Sequence, residues 1–413
     1  MKIAFITSSL NGGGITSYAH EFVDCFAGQH DIVIVVGNDQ KSPFDREKVK
    51  VVNCESHDTS PENARRLLRI INEDIHPDVI INSNSVLMAL ITPYINNDIR
   101  IINISHSLCY KEADTAGFNS QYADRVVALS TFNETYLRKQ YRIEADDKVK
   151  VIYNFVENLK GAEQIRNQKK SASPIRIVYT GGTSAAKTPE LVFRIMQRLV
   201  KTDKKFEFVF MGAHTPTLQK LQPFKSIQQL IKPDERVIFT GRVPREEAER
   251  LISTANILLV PSRREGCPMA MLEGMRVGCI VLTSDYRNAC REMIEDGRSG
   301  YVLNHRNSNS FVERIVDIID HHESYYSFYD ECYRDFSDKY SYPHWKDKMQ
   351  SLVTEGRLDH IDRFNDFSER DYLRLRSKLQ KRFLKNNIHK LFHETLKSAV
   401  PFFFMYIKSK IKK

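Results

Sequence analysis

The stretch Val260-Pro261-Ser262-Arg263-Arg264-Glu265-Gly266-Cys267-Pro268-Met269-Ala270-Met271-Leu272-Glu273-Gly274-Met275 decides the fold, because it reads as a strand end, a loop and a helix start in immediate succession. Residues 257–260 are a continuous apolar run of the kind that a parallel sheet buries on both faces. Residues 263–266 are too polar and turn-prone to continue it. A helix begins near Pro268: proline is pre-set for a first helical turn, where its missing N–H costs nothing, and Met269, Met271, Leu272 and Met275 supply an apolar face behind it. Glu265 sits in the loop at the carboxyl end of the strand and Glu273 inside the helix, with seven residues between them. In open α/β sheets ligands bind in this crevice, and the free N–H groups of a helix start attract phosphate. A phosphorylated, hydroxyl-rich ligand suits such a site.

The same device opens the chain. Residues 2–7 read as a buried strand, Asn11-Gly12-Gly13-Gly14 as a turn, and 15–26 as a helix with Tyr18, Phe22 and Phe26 on one face. Small residues at Gly13 and Gly14 either let backbone N–H groups approach a diphosphate or acceptor, or simply make a tight turn. Ser17 stands where a dinucleotide fingerprint has its last glycine, so a nicotinamide enzyme loses ground. Apolar strands and helical segments then alternate through 32–36, 62–73, 79–82 and 99–104, as a doubly wound domain requires. His106 falls just past a strand's carboxyl end. Residues 157–174, with Lys169-Lys170-Ser171-Ala172-Ser173, read as a polar linker. Beyond it the pattern restarts with a strand at 175–179, the glycines Gly181-Gly182 and a helix from about Pro189.

Taken together, these blocks resemble the retaining nucleotide-sugar glycosyltransferases of family four, the group 1 glycosyltransferases, over roughly residues 1 to 355. The resemblance rests on Glu265, seven residues and Glu273, preceded by Pro261-Ser262-Arg263 and followed by Gly278 and the strand Ile280-Val281-Leu282. It continues in the strand-end His106, Lys187, Val126-Val127-Ala128-Leu129-Ser130, the strands at 208–211 and 237–241, and Tyr340-Ser341 with Trp345. It implies an α/β GT-B fold: two Rossmann-like doubly wound domains facing a central cleft. Residues 1–156 would form the acceptor-side domain, 157–174 the linker and 175–339 the donor-binding domain. Residues 340–356 would be a helix crossing back to pack on the first domain.

The resemblance also implies roles. Glu265 would contact the donor sugar's hydroxyls and Glu273 the ribose of its nucleotide, while His106 would face the donor sugar. Lys187 and the backbone at Gly266, Cys267 and Pro268 would hold the diphosphate, with Gly13 and Gly14 on the donor side as well. No metal or other cofactor is implied beyond the nucleotide-sugar substrate, and the sequence contains neither D-x-D nor H-E-x-x-H. One departure stands out: Gly182 occupies the place of an arginine in the family, so a cationic diphosphate contact is missing unless Arg263, Arg264 or another group replaces it.

Composition bounds these readings. At 413 residues, 41% hydrophobic and 27% charged, the chain is long enough for two cores. Its seven cysteines are scattered without C-x-x-C pairing, which predicts reduced, packed thiols. No signal peptide is evident at the amino terminus, which predicts a cytoplasmic protein. The net charge of +9 is concentrated: residues 374–413 hold twelve Lys or Arg against one acid, a charge of +11, leaving −2 on the rest. A nearly neutral body argues against nucleic acid as the main partner. The tail, 357–413, reads as a basic amphipathic segment. Tyr372, Leu375, Leu379, Phe383 and Ile388 recur near helical spacing, which predicts attachment of residues 372–413 to the anionic inner face of the cell membrane, or packing of that apolar face on the body. Residues 399–407 are apolar but far shorter than the ~20 residues needed to span a bilayer. The function expected is sugar transfer to a glycan or lipid-linked acceptor in cell-surface polysaccharide biosynthesis. The alternatives are a nucleotide-sugar epimerase on the same fold and a non-catalytic sugar-nucleotide-binding scaffold.

Overall fold

The computed structural model describes residues 1–10, 14–37, 44, 49–54, 58–106, 110–181, 185–212, 234–356, 361–364 and 366–390. Two compact units emerge: Met1–Tyr153 together with Lys346–Asn387, and Asn154–Trp345.

The first unit is built on a seven-stranded parallel sheet: β1 Lys2–Thr7, β2 Asp31–Val36, β3 Lys50–Asn53, β4 Val79–Ser83, β5 Arg100–Ser105, β6 Arg125–Ala128 and β7 Val149–Val151. Their order is β3-β2-β1-β4-β5-β6-β7, so the direction of winding reverses between β1 and β4. The central strands are apolar on both faces because helices cover both sides. One of these, Gly14–Phe26, buries Tyr18, Ala19, Phe22 and Phe26, with the Phe22 ring 5.3 Å from that of Phe5 on β1. Gly14 is its first residue, and Gly13 lies outside the described residues.

The second unit repeats the plan with β8 Ile175–Tyr179, β9 Phe206–Met211, β10 Val237–Gly241, β11 Ile257–Val260, β12 Ile280–Ser284 and β13 Gly300–Leu303. The order β10-β9-β8-β11-β12-β13 puts the reversal between β8 and β11, the strand that opened the sequence reading. Both sheets carry the doubly wound strand order, and the fold is the α/β, two-domain Rossmann-like GT-B architecture that the resemblance implied. The helix Met269–Arg276 follows Pro268, which sits at its N-cap position. Gly278, with φ +69°, turns the chain back into β12, and a Cβ there would collide with the carbonyl of Tyr329.

Two readings need correction. The polar linker is not a linker throughout: Ala162–Lys170 is a helix of the second unit, with Ala162, Arg166 and Lys169 buried. Its cationic stems cover apolar surface while their heads find fixed acceptors. Arg166 pairs with Asp330 at 3.1 Å and lies over the Tyr333 ring, and Lys169 donates to the Val277 carbonyl at 2.8 Å.

The second correction concerns the tail. The apolar stripe of the helix Glu369–Lys390 does not face outward. Tyr372 and Leu379 are fully buried in the first unit's core, with Leu375 and Phe383 packed against the same cluster. Polar groups fix the register: the Tyr372 hydroxyl donates to Thr59 O at 3.0 Å, and Arg382 pairs with the fully buried Asp114. An apolar stripe at helical spacing is stabilised equally by a bilayer or by a protein core, so the pattern alone could not choose. Residues 391–413, including the apolar run 399–407, lie outside the described residues. No helix among the described residues is long and apolar enough to cross a membrane.

Arg363 secures the lead-in to this helix. Its fully buried guanidinium donates to the carbonyls of Tyr122, Asn96 and Ile99 at 2.8, 2.9 and 2.7 Å, and pairs with the equally buried Asp124 at 3.1 Å. Arg363→Met is therefore expected to destabilise the protein by ~3–5 kcal/mol in urea denaturation, because it removes the cation paired directly with a buried carboxylate and leaves three carbonyls without their donor. Combining it with Asp124→Asn should cost less than the two single changes added together.

Candidate active site

The candidate site of the second unit is made where the loops after β8 and β11 meet. These strands are neighbours in the sheet, and their loops are joined by main-chain bonds: Arg263 N–H and Arg264 N–H both donate to Ala186 O, at 2.8 and 3.3 Å. The Thr188 hydroxyl adds a bond to Pro261 O. Thr188 is in the left-handed region at φ +50°, which ends the short turn Ala185–Lys187 and starts the helix Pro189–Leu199. Tyr179, buried at the end of β8, donates its hydroxyl to Lys187 O at 3.3 Å, and a Cβ on Gly181 would strike that ring. Gly181 is thus required by the close approach of Tyr179. Gly182 lies outside the described residues.

This stitching brings Lys187 and Glu265 into direct contact as an ion pair. Glu265 is only 8% exposed, so its carboxylate has left most of its water and is held by the lysine instead. The loop backbone beneath it is pinned by Asn288, whose side chain donates to Ser262 O at 2.6 Å, and by Ala289 N–H to Glu265 O at 3.3 Å. Arg263 turns away to pair with Glu190 at 2.9 Å. Burial raises the Glu190 carboxyl above its ordinary range, against the pull of Arg263.

Gly266, Cys267 and Pro268 are all buried and lead into the Met269–Arg276 helix, whose first N–H groups have no partner within the helix. Asn154 fixes the approach by donating to Cys267 O at 2.9 Å. Burial pushes the Cys267 thiol well above its usual range, which makes it a packing group. The other described cysteines, 25, 54, 279, 290 and 332, are buried thiols; Cys109 lies outside the described residues. Glu273 lies about one turn into the helix rather than in the Lys187–Glu265 contact. Burial raises its carboxyl, Glu249 adds to that, and Arg276 and Arg245 oppose it.

In the first unit, His106 ends β5. Its Nε2 shares a 2.7 Å hydrogen bond with Ser83 Oγ, at the end of neighbouring β4, and Tyr18 meets the ring edge-on at 5.1 Å. Burial pushes its pKa down to about 4, so the imidazole is neutral near pH 7. Gly14 has open space where a Cβ would sit. Sequence reasoning missed Thr188, Glu190, Asn288 and Ser83. Each is a partner met only through the fold, and no motif spacing marks any of them. Among the described residues no group of three or more His, Cys, Asp or Glu is arranged to hold a metal ion.

Comparison with known proteins follows this division. Residues 12–158 match the model of Glycosyltransferase Family 4, and residues 174–321 that of Glycosyl transferases group 1. An uncharacterised 41.2 kDa protein of the cps region of Klebsiella pneumoniae is 24% identical over 213 residues, which is 49% of this chain and 54% of that protein. The poly(glycerol-phosphate) alpha-glucosyltransferase of Bacillus subtilis is 24% identical over 156 residues, 36% of this chain and 23% of that one. The matched segments thus span about half of the first relative and about a quarter of the second. Among solved structures, Anabaena HepE in complex with UDP superposes with a TM-score of 0.69 at 15% identity, covering 86% of this chain and all of that chain.

The lowered pKa of His106 has a testable sign. A histidine held near 4 in the folded state but near 6.5 when unfolded makes the unfolded state bind more protons between those values. Its neutral contacts therefore stabilise fully above about pH 6.5 and are lost as pH falls toward 4. Between pH 7 and 4.5 the wild type should lose more melting temperature than His106→Asn. Parallel curves would show that His106 is not held neutral in the folded state.

Proposed function

We propose, because this chain belongs to the group 1 glycosyltransferases of GT-B type, that it transfers a sugar from a nucleoside diphosphate sugar to a glycan or lipid-linked acceptor with retention of configuration, in cell-surface polysaccharide biosynthesis. One observation carries the reading: the pair of half-buried Lys187 with buried Glu265 at the carboxyl ends of adjacent parallel strands, beside the start of the Met269–Arg276 helix. A cation, backbone N–H groups and a carboxylate converge there, the set needed to hold a diphosphate and the hydroxyls of its sugar. HepE crystallised with UDP and with UDP-glucose, and the alpha-glucosyltransferase name of the Bacillus relative, support the donor class and the stereochemistry.

In this reading the C1–O bond to the diphosphate breaks as the acceptor oxygen bonds to C1 on the same face, and the departing phosphate oxygen takes the acceptor's proton. Charge accumulates on the leaving group, so electrostatic stabilisation is the main contribution asked of the protein. Lys187 and the N–H groups at Gly266, Cys267 and the helix start after Pro268 receive that charge. Their positive ends do this work without a metal. Glu265 accepts hydrogen bonds from the donor sugar, and its negative charge favours the oxocarbenium-like carbon. Glu273 binds the ribose hydroxyls. The family resemblance assigns His106 a hydrogen bond to the donor sugar, a role that its neutral state suits. Gly14, where an added Cβ would meet nothing within 4 Å, leaves room for donor or acceptor. With Arg263 committed to Glu190, Lys187 is the principal side-chain cation for the diphosphate. We further assign the enzyme to the anionic inner face of the cell membrane, held by the basic residues of 372–413 rather than by the buried apolar stripe.

Glu265→Gln should lower turnover by ~100-fold or more, the scale of one positioned electrostatic group, with nucleotide affinity largely kept. Lys187→Ala should instead weaken nucleotide binding by roughly 10–100-fold, since its contact exists before and during reaction. Both are read from calorimetric titration with nucleotides and turnover with a panel of nucleotide sugars, and proton NMR of the product gives the anomeric configuration. A new nucleotide sugar formed without acceptor would make the protein an epimerase, and binding without turnover under any acceptor a scaffold.

A further inference from the structure

The outer face of the Glu369–Lys390 helix contributes nothing to the fold, yet it is organised. Arg370, Arg374, Lys378, Lys381 and Lys385 are all exposed and fall at successive turns, which lines them along one stripe. Like charges at this spacing repel and destabilise a helix. The only acids of this stretch, Glu369 and Asp371, are already engaged, with Arg65 and with Arg374 and Ser368. Among the described residues Lys378 and Lys381 have no ion-pair or hydrogen-bond partner.

Beside this stripe runs a groove of about 650 Å³ within the first unit, with Arg374, Lys378 and Lys381 on one wall and Tyr122 and Phe364 on the other. Phe364 is 47% exposed but firmly held. Its N–H donates to Pro93 O at 2.8 Å, its ring leans on Tyr94 and Tyr122 at 5.5 and 5.6 Å, and the preceding residue is the buried Arg363. Among the described residues five large hydrophobic side chains are exposed: Phe364 lines the groove, and Leu373 and Leu384 are on the adjoining helix. Leu373 and Leu384 share one line of the helix, on the flank of the basic stripe away from the groove. Cations thus lie between apolar groups, all on a rigid support.

We propose that this groove is a binding site for the phosphate headgroup of an anionic phospholipid. Lys378 and Lys381 take the phosphate, beside the Arg374–Asp371 pair that shares the groove, while Phe364, Leu373 and Leu384 enter the boundary between headgroups and acyl chains. A nucleic acid would use the cations but has no place for the leucines, and the near-neutral remainder of the chain gives it no continuing track. The inference rests on the membrane-surface part of the reading above and replaces an inserted apolar stripe with a headgroup site. It does not depend on the transfer chemistry.

The test uses the full chain, mixed with vesicles of phosphatidylglycerol and phosphatidylcholine at low salt and separated by sedimentation. Lys378→Gln with Lys381→Gln should lower vesicle partition roughly 10–30-fold, on the scale expected for two charges at a lipid surface. Phe364→Ser should lower it severalfold. Lys201→Gln with Lys205→Gln, an equal charge change at exposed positions of the second unit, should leave it within twofold. Turnover on a soluble acceptor should stay at the wild-type value in all three, and melting temperature in the two lysine pairs, while Phe364→Ser should melt slightly lower for want of its ring contacts. The proposal is overturned if wild type ignores anionic vesicles, or if the groove variants bind as wild type does, which would move the contact to residues 391–413. It is equally overturned if millimolar inorganic phosphate or a short oligonucleotide displaces the protein as well as free headgroup lipid does. Loss of turnover with groove-dependent vesicle binding intact would sink the transferase reading and leave this site standing.

Discussion

The Ala186 carbonyl accepts the N–H groups of both Arg263 and Arg264, and on this shared acceptor the candidate site depends. Parallel strands bring their carboxyl ends to one edge, but they do not set the spacing of the loops that leave them. Here the loop after β8 is bound to the loop after β11 through main-chain groups, and Thr188 repeats the link through its hydroxyl to Pro261. Main-chain bonds tolerate side-chain substitution on either loop. The consequence is that Lys187 and Glu265, seventy-eight positions apart, meet as a pair without either side chain having to build the contact.

The pair also explains the low exposure of Glu265. A carboxylate only 8% exposed is tolerable because a lysine stands against it, and a lysine there is useful because it is already dehydrated on one side. Arg263 and Glu190 form a second pair on the same wall, so the two carboxylates each hold one cation. Had Arg263 been left to the diphosphate, Glu190 would lose its direct ion pair while still buried at the head of its helix, with Arg194 the remaining cation to oppose the effect of burial.

Much of this was legible in the chain. Continuous apolar runs followed by glycine or proline predicted β1, β8 and β11 with their helices, because a strand covered on both faces has almost no other composition open to it. Both sheets then followed from the repeat of that unit. The partners of the site residues were not legible. Ser83 reaches His106 from the next strand, and Asn288 reaches Ser262 from a different crossover. Polar residues in loops are common, and nothing in their spacing distinguishes one that holds a backbone carbonyl from one that faces water.

The basic residues of two segments were hard to place for one physical reason. Residues 162–170 and 369–385 are rich in lysine and arginine, and hydropathy assigns such residues to solvent. A long cationic side chain, however, has an apolar stem and a head that needs only fixed oxygen atoms. Lys169 is buried with its ammonium on the Val277 carbonyl, and that burial lowers its pKa. Arg363 and Arg382 do the same against Asp124 and Asp114. What separates these from Lys378 and Lys381 is the presence of an acceptor, not charge or position along the helix. A basic helix therefore divides into two kinds of cation. Those with buried acceptors hold the helix on its sheet, and those without remain as uncompensated charge on the surface, where repulsion between neighbours is relieved only by an anion from outside the chain.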